Sequence, residues 1–384
     1  SVHLGNPDQR TSVQLLTQDA VDRGRVTMRF FDLFDVEARR VLLADLPIDH
    51  AGVRAGERRR VHLVILGLGR MGRAVAVRAA QVGHFANSAL DHRFRLKISV
   101  VDRISTDSQR LRLFAYPQLE SCCELDPHQG EIESADTLAL LQRWCNDPTT
   151  MTSVVICVND ESRAALTATR MMPLLHDSSA RLAVRLSHRT GLHSVMDLAR
   201  THGTSAAVTS FGAIADGCCH TAFEAEDREQ LAISIHEAYR ASIETKANAN
   251  DAALQPWRSL REVLRESNRL QADHIGIKLR AIGCVSAPTS DARPAVQQFG
   301  TGADGTDEVE LLARMEHDRW NAERWLGGWV YAPGKKNVDK RTSPYLVPWV
   351  AEELPESVRE YDRNAVRAIP GHSARVGRKV VRSP

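Results

Sequence analysis

Between Val61 and Phe211 the chain alternates apolar runs with segments of helical period. The runs are VHLVILG (61–67), RLKISVVD (95–102), TSVVICVND (152–160), ARLAVRLS (180–187) and SAAVTSF (205–211). Such runs are too uniformly apolar to line a sheet with one wet face. They suit strands covered on both sides. The intervening segments, RMGRAVAVRAAQVGHF, ADTLALLQRWCND, ESRAALTATRMMPLLHD and GLHSVMDLARTHG, predict helices. Strand–helix alternation of this kind builds right-handed βαβ units on a parallel sheet.

The first strand-to-helix switch carries Gly67, Gly69 and Gly72 in the order G-x-G-x-x-G. In a dinucleotide site the first glycine allows the tight turn, the second lets a pyrophosphate reach the backbone, and the third lets helix and strand pack closely. Phosphates would then sit on the helix N-terminus, beside the backbone of Arg70 and Met71. The next strand ends in Asp102, placed to accept from a ribose diol. Arg103 beside it suits a 2′-phosphate, which the Asp102 carboxylate would repel. NAD or NADH, or another adenine nucleotide, is therefore preferred to NADP, with a vestigial, ligand-free turn as the alternative. The expected fold class is α/β, a Rossmann-like parallel sheet over 61–212.

Composition narrows the function classes. Lys+Arg total 50 against 48 Asp+Glu, so no global charge favours nucleic acid. No apolar stretch reaches the roughly 18 residues of a membrane span. There is no signal peptide, and residue 1 is serine, which leaves room for a membrane channel segment upstream. The seven cysteines are odd in number and irregularly spaced, as expected of reduced thiols in a cytoplasmic setting. The Cys122-Cys123 and Cys218-Cys219 pairs lack C-x-x-C spacing, and no metal is expected.

Outside the sheet, residues 1–60 predict an extension or connector with a strand and a short amphipathic helix ended by Pro47. Residues 213–284 predict a helical connector, 285–307 a flexible linker rich in small and polar residues, 308–378 an aromatic-rich domain, and 379–384 a solvated basic tail. An internal repeat links two of these blocks. IHEAY (235–239) parallels EHDRW (316–320), and PWRSLREVLRESNRLQA (256–272) parallels PWVAEELPESVREYDRNAV (348–366). The second copy adds GGWVYAPGKKNVDKRTSPYLVP between the two parts.

The glycine turn, the acid after the second strand, Asn159-Asp160-Glu161 after the TSVVICV strand, and Arg185 on the strand that follows resemble the RCK, or TrkA-N, nucleotide-binding domain of potassium channels and transporters. The resemblance covers about 61–212. It implies a fold that binds NAD(H) or an adenine nucleotide and acts by conformational change without turnover. The stretch EHDRWNAERWLGGWVYAPGKKNVDKRTSPYLVPWVAEELPESVREYDRNAV is similar to the ryanodine-receptor repeat domain, and 213–284 fits as a degenerate preceding copy. Two departures stand out. KKN at 335–337 replaces an acidic pair, and Ser343-Pro344 replaces His-Pro.

The resemblance implies a ligand-sensing cytoplasmic unit of a prokaryotic ion channel or transport system, assembled as a homo-oligomer. In the second domain, Trp320, Trp329, Tyr331 and Tyr361 offer stacking surfaces, and Lys340 or Arg341 a phosphate contact, for an ADP-ribose-type messenger. A small aromatic core is the alternative use of those rings. Catalysis is not expected, since no Tyr-x-x-x-Lys element or His–Asp dyad follows the sheet. The competing functions are a soluble nucleotide sensor in defence signalling and an NAD-dependent oxidoreductase.

Overall fold

A computed structural model describes residues 2–3, 30–176, 178–186, 208–212, 214–243, 252–302 and 304–383. The apolar runs form one parallel six-stranded sheet: β1 (Arg60–Leu66), β2 (Lys97–Asp102), β3 (Glu124–Gln129), β4 (Thr150–Ile156), β5 (Arg181–Arg185) and β6 (Val208–Phe211). Its order is β3-β2-β1-β4-β5-β6. The order reverses between β1 and β4, which opens a crevice at the carboxyl ends of the strands. This is a Rossmann-like α/β fold. The helix predicted over 191–203 lies outside the described residues.

β3 is the strand the hydrophobic pattern does not reveal. Its sequence ELDPHQ is partly exposed throughout and contains Pro127. An edge strand tolerates a proline and needs apolar residues on neither face.

Around the sheet lie α1 (Leu33–Arg40), α2 (Arg70–Val82), α3 (Ala135–Cys145), α4 (Glu161–His176), α5 (Ile214–Ile243), α6 (Glu262–Ala281), α7 (Glu308–Leu326), α8 (Glu356–Arg367) and α9 (Ile369–Arg375). One face of the sheet packs Val64, Leu66, Val154 and Ile156 with Leu141, Ala164 and Met171 of α3 and α4. The other face packs Leu63 and Ile65 under Val75 and Ala79 of α2. That same core continues without a break into Ile275, Leu312, Met315, Ala322 and Trp349. The helical half is therefore packed directly on α2 of the Rossmann-like fold.

The expected linker and tail are both structured. β7 (Cys284–Pro288) pairs antiparallel with β8 (Arg378–Arg382). Val296 N–H donates to the Val380 carbonyl at 2.8 Å, and Arg382 Nη2 pairs with buried Glu308 at 2.9 Å. The basic residues of the tail find internal acceptors, so composition alone misread both segments. Residues 30–60 of the extension also fold as part of this body. Its helix α1, N-capped by Asp32, runs on through a π-helical turn, Val41–Asp45, before Pro47.

The internal repeat reappears as a repeated set of contacts. In the first module His236 Nε2 meets the Gln255 carbonyl at 2.8 Å, two residues before Trp257. In the second, His317 Nε2 meets the Val347 carbonyl at 2.9 Å, two residues before Trp349. Trp257 donates its indole N–H to Glu229, and Trp349 donates to Glu310. Arg265 and Arg359 donate to the carbonyls of those same tryptophans. Arg269 and Arg363 lie over the indole rings at 5.8 and 5.5 Å and pair with Glu229 and Glu310 respectively.

Candidate functional site

The three glycines do different work. Gly67 has φ +94°, a left-handed backbone, and an added Cβ would sit 2.9 Å from Val158 Cγ1. At Gly72 a Cβ would lie 2.0 Å from the Gly67 carbonyl oxygen. The fold itself demands both. Gly69 is unlike them: its φ of −72° suits any residue, and an added Cβ would meet nothing within 4 Å. It is the N-cap of α2, yet it supplies no side-chain cap. The first-turn N–H groups of α2 have no intrahelical partners.

Asp102 stands at this turn. Its Oδ2 accepts from Leu68 N–H at 2.6 Å and its Oδ1 from Ile104 N–H at 3.1 Å. The carboxylate thus braces the glycine turn against the end of β2. A carboxylate has about four acceptor sites, so two remain for a diol. Arg103 is exposed next to it.

Across the switch point, Arg185 Nη1 donates to Asn159 Oδ1 at 2.5 Å, joining β5 to the loop after β4. Asp160 accepts from Arg163 N–H at 3.1 Å, and so caps α4. Met71 is buried and can offer a ligand only its backbone. Arg70 is exposed, with its guanidinium 4.6 Å from the centre of the Phe34 ring; Arg185 lies 5.7 Å from the same ring. The structure brings Gly67, Gly69, Arg70, Asp102, Asn159 and Arg185 to one end of the sheet. Two residues of α1 join them that sequence pattern does not single out: Phe34 between the arginines, and Glu37, whose Oε2 accepts from Gly212 N–H at 3.0 Å. The FFDLFD stretch gives a helix signal but no sign of where that helix docks.

The second predicted group is only partly brought together. Trp320 and Trp329 flank the Arg324 guanidinium at 5.6 and 5.3 Å, and Lys336 Nζ lies 5.5 Å from the Trp329 ring centre. Trp329 is almost fully buried. A base could stack on it only by displacing a cation already there. Arg341 has φ +50° and donates to the Gly327 carbonyl, which fixes the turn of the added segment. Lys340 is exposed, its N–H received by Asn337. Tyr331 and Tyr361 are about half exposed, on separate elements.

Among the described residues, six histidines are buried: His62, His84, His236, His274, His317 and His372. His62, 2% exposed, bonds Ser99 at 2.8 Å, and burial drops its pKa to about 3. His84 and His274 are buried together, with His274 Nε2 on the His84 carbonyl. His317 is buried between the Asp362 carboxylate and the Val347 carbonyl. Among the described residues no cluster of His, Cys, Asp or Glu has the arrangement of a metal site. Cys122 and Cys123 are buried thiols, with Cys123 pushed up to about 12 by desolvation.

No family model matches this chain, and no curated protein matches it.

Proposed function

We propose that this chain is a nucleotide-responsive regulatory module, not a catalyst. It binds NAD, NADH or another adenine nucleotide at the glycine turn and serves as the cytosolic part of a prokaryotic potassium channel or transport system. The observation that carries the binding half is Gly69. Neither backbone nor packing requires a glycine there, and the space a side chain would fill is open at the N-cap of α2. A pyrophosphate approaching a helix N-terminus needs that space.

The regulatory half is supported by the packing of the turn's surroundings. A ligand shifts a protein only if it binds one arrangement better than another. Here α1 touches the site through Phe34 and reaches the helical half through Arg39, which pairs with Asp273 of α6 at 2.6 Å. A nucleotide that displaces Phe34 from Arg70 acts on the element that ties the two halves together. Symmetric assembly, at least a homodimer, suits a module that must match a symmetric pore.

Calorimetry with NAD, NADH, ATP, ADP and ADP-ribose tests the binding. At least one should bind below millimolar. Gly69→Val should abolish that binding while leaving the melting curve unchanged, and Asp102→Asn should weaken it by about 1.5–3 kcal/mol, the worth of a charged hydrogen bond. If none of the five binds and none accompanies the purified protein, the proposal is wrong.

A further inference from the structure

The segment that the second module adds between α7 and α8 projects from the body. Every residue from 333 to 341 is exposed. Asn337 and Thr342 exchange both backbone hydrogen bonds at 2.9 Å, and Arg341 takes φ +50° between them, so Val338 to Arg341 form a tight apex. The base is anchored. Trp329 is almost fully buried, with Lys336 Nζ 5.5 Å from its ring centre, and Arg341 Nη1 donates to the Gly327 carbonyl at 3.1 Å. A folded stem thus holds out an exposed tip.

That tip is basic in a chain whose overall charge is nearly balanced. It carries Lys335, Lys336, Lys340 and Arg341 against a single carboxylate, Asp339. Among the described residues no carboxylate pairs with Lys335, Lys340 or Arg341: Arg341 meets only the Gly327 carbonyl, and Lys340 is held through its backbone N–H by Asn337. Apolar groups share the same segment. Val338, in the apex between the lysines, is 63% exposed, and Tyr331, in the short strand Val330–Tyr331 below it, is 47% exposed.

We propose that this loop is a docking surface for an anionic lipid bilayer. Charge and shape choose the occupant. Lysine charges on flexible stems suit a diffuse field of negative headgroups, whereas a discrete phosphate is matched by fixed arginine forks. An aliphatic tip leaves water when it enters the boundary between headgroups and acyl chains, and a nucleic-acid backbone offers it nothing comparable. A tyrosine beside it suits the same boundary. The loop projects and forms no groove, so it gives an acidic peptide no cradle. This surface requires none of the residues of the glycine turn.

Co-sedimentation of the full chain with vesicles, in the absence of nucleotide, is the test. The chain should sediment with vesicles of phosphatidylcholine mixed with phosphatidylserine and not with phosphatidylcholine alone. Added salt should release it, because exposed charges are screened. The double variant Lys335→Gln, Lys340→Gln should bind about 25-fold more weakly, since each lysine contributes about fivefold at an anionic surface. Val338→Ser should weaken binding severalfold with no change in melting temperature, as its side chain is exposed. Arg58→Gln, which removes an exposed arginine of the extension, should bind as the unmodified chain does. The proposal is overturned if the mixed vesicles are ignored, or if the lysine substitutions leave binding unchanged. It is overturned equally if Val338→Ser changes nothing while a single-stranded oligonucleotide binds with the same lysine dependence, which would make the loop a site for soluble polyanions.

Discussion

The two helical modules share a frame and differ in what is hung on it. Each clamps a Pro-Trp against a histidine seven residues beyond a glutamate, and each lays two arginines of the following helix on that tryptophan. The frame recurs because a small helical unit has little core. One indole with its ring under guanidinium groups, its N–H on a carboxylate and its carbonyl on an arginine concentrates much contact in few residues. The differences follow from surroundings. Where the first module has Asp273, the position four residues beyond its second arginine, the second has Arg367. Asp273 has a fully buried side chain and receives Arg39, Arg78 and Arg228. Arg367 is a surface residue paired with Glu360. The first module has become the joint between the Rossmann-like sheet and the rest. The second carries the added segment with Trp329 and Tyr331.

The largest effect should separate those two positions. Asp273→Ala leaves three arginines around an empty place, Arg78 among them deeply buried, and should destabilise by about 3–5 kcal/mol. Arg367→Ala should stay within about 0.5 kcal/mol, as an exposed pair does. Urea denaturation of both variants measures the contrast. Nearly equal losses would break the assignment of the first module as the joint. The Asp273 carboxyl is also pH-sensitive: burial alone would raise its pKa, but Arg228, Arg39 and Arg78 outweigh that and hold it at about 2. A depressed folded pKa stabilises above the unfolded value near 4 and loses that contribution as pH falls toward 2. The wild-type chain should weaken across that window more than Asp273→Asn does.

Next comes the pair of tryptophans. Trp349 is 5% exposed and belongs to the main core, whereas Trp257 is only partly buried. Trp349→Ala should cost about 3–5 kcal/mol and Trp257→Ala roughly half as much, because less apolar area leaves water there. Equal costs would mean that the frame matters and its surroundings do not.

The smallest effect distinguishes the modules by pH. Asp318 follows His317, and burial raises its pKa to about 7 despite the nearby imidazole. Its counterpart Glu237 is a half-exposed residue paired with Arg240. A carboxyl whose folded pKa lies above its unfolded value stabilises most at low pH, and that contribution is lost between about pH 4 and 7. Asp318→Asn should flatten this decline and raise stability at pH 7.5 by about 1 kcal/mol, the low end for a partly buried polar group. Glu237→Gln should change neither. Melting temperatures across that pH range decide it; a flat wild-type profile removes the distinction.

Much of this protein could be read from local pattern. The strands β1, β2, β4, β5 and β6 are legible because strands covered on both faces must be apolar throughout, and the helices because one face must be. The glycine turn is legible because turn geometry and close approach constrain the residue directly. The repeated modules show through Pro-Trp and His-x-x-aromatic spacing, since that frame is built from near neighbours. Tertiary structure decided the rest. β3 is an edge strand held by backbone bonds, which leave no mark on side-chain type. β7 and β8 find each other across about ninety residues, a pairing that depends on where α9 ends in space. Which glycine the fold can spare was hidden as well: Gly67, Gly69 and Gly72 are the same letter, and only the atoms opposite each one separate a steric necessity from an open approach. The ion network around Asp273 has the same origin. Arg39, Arg78 and Arg228 are ordinary arginines in sequence, and they converge because α1 is wedged between the Rossmann-like sheet and the joint, where the buried Asp273 carboxylate gathers guanidinium groups that no local rule would bring together.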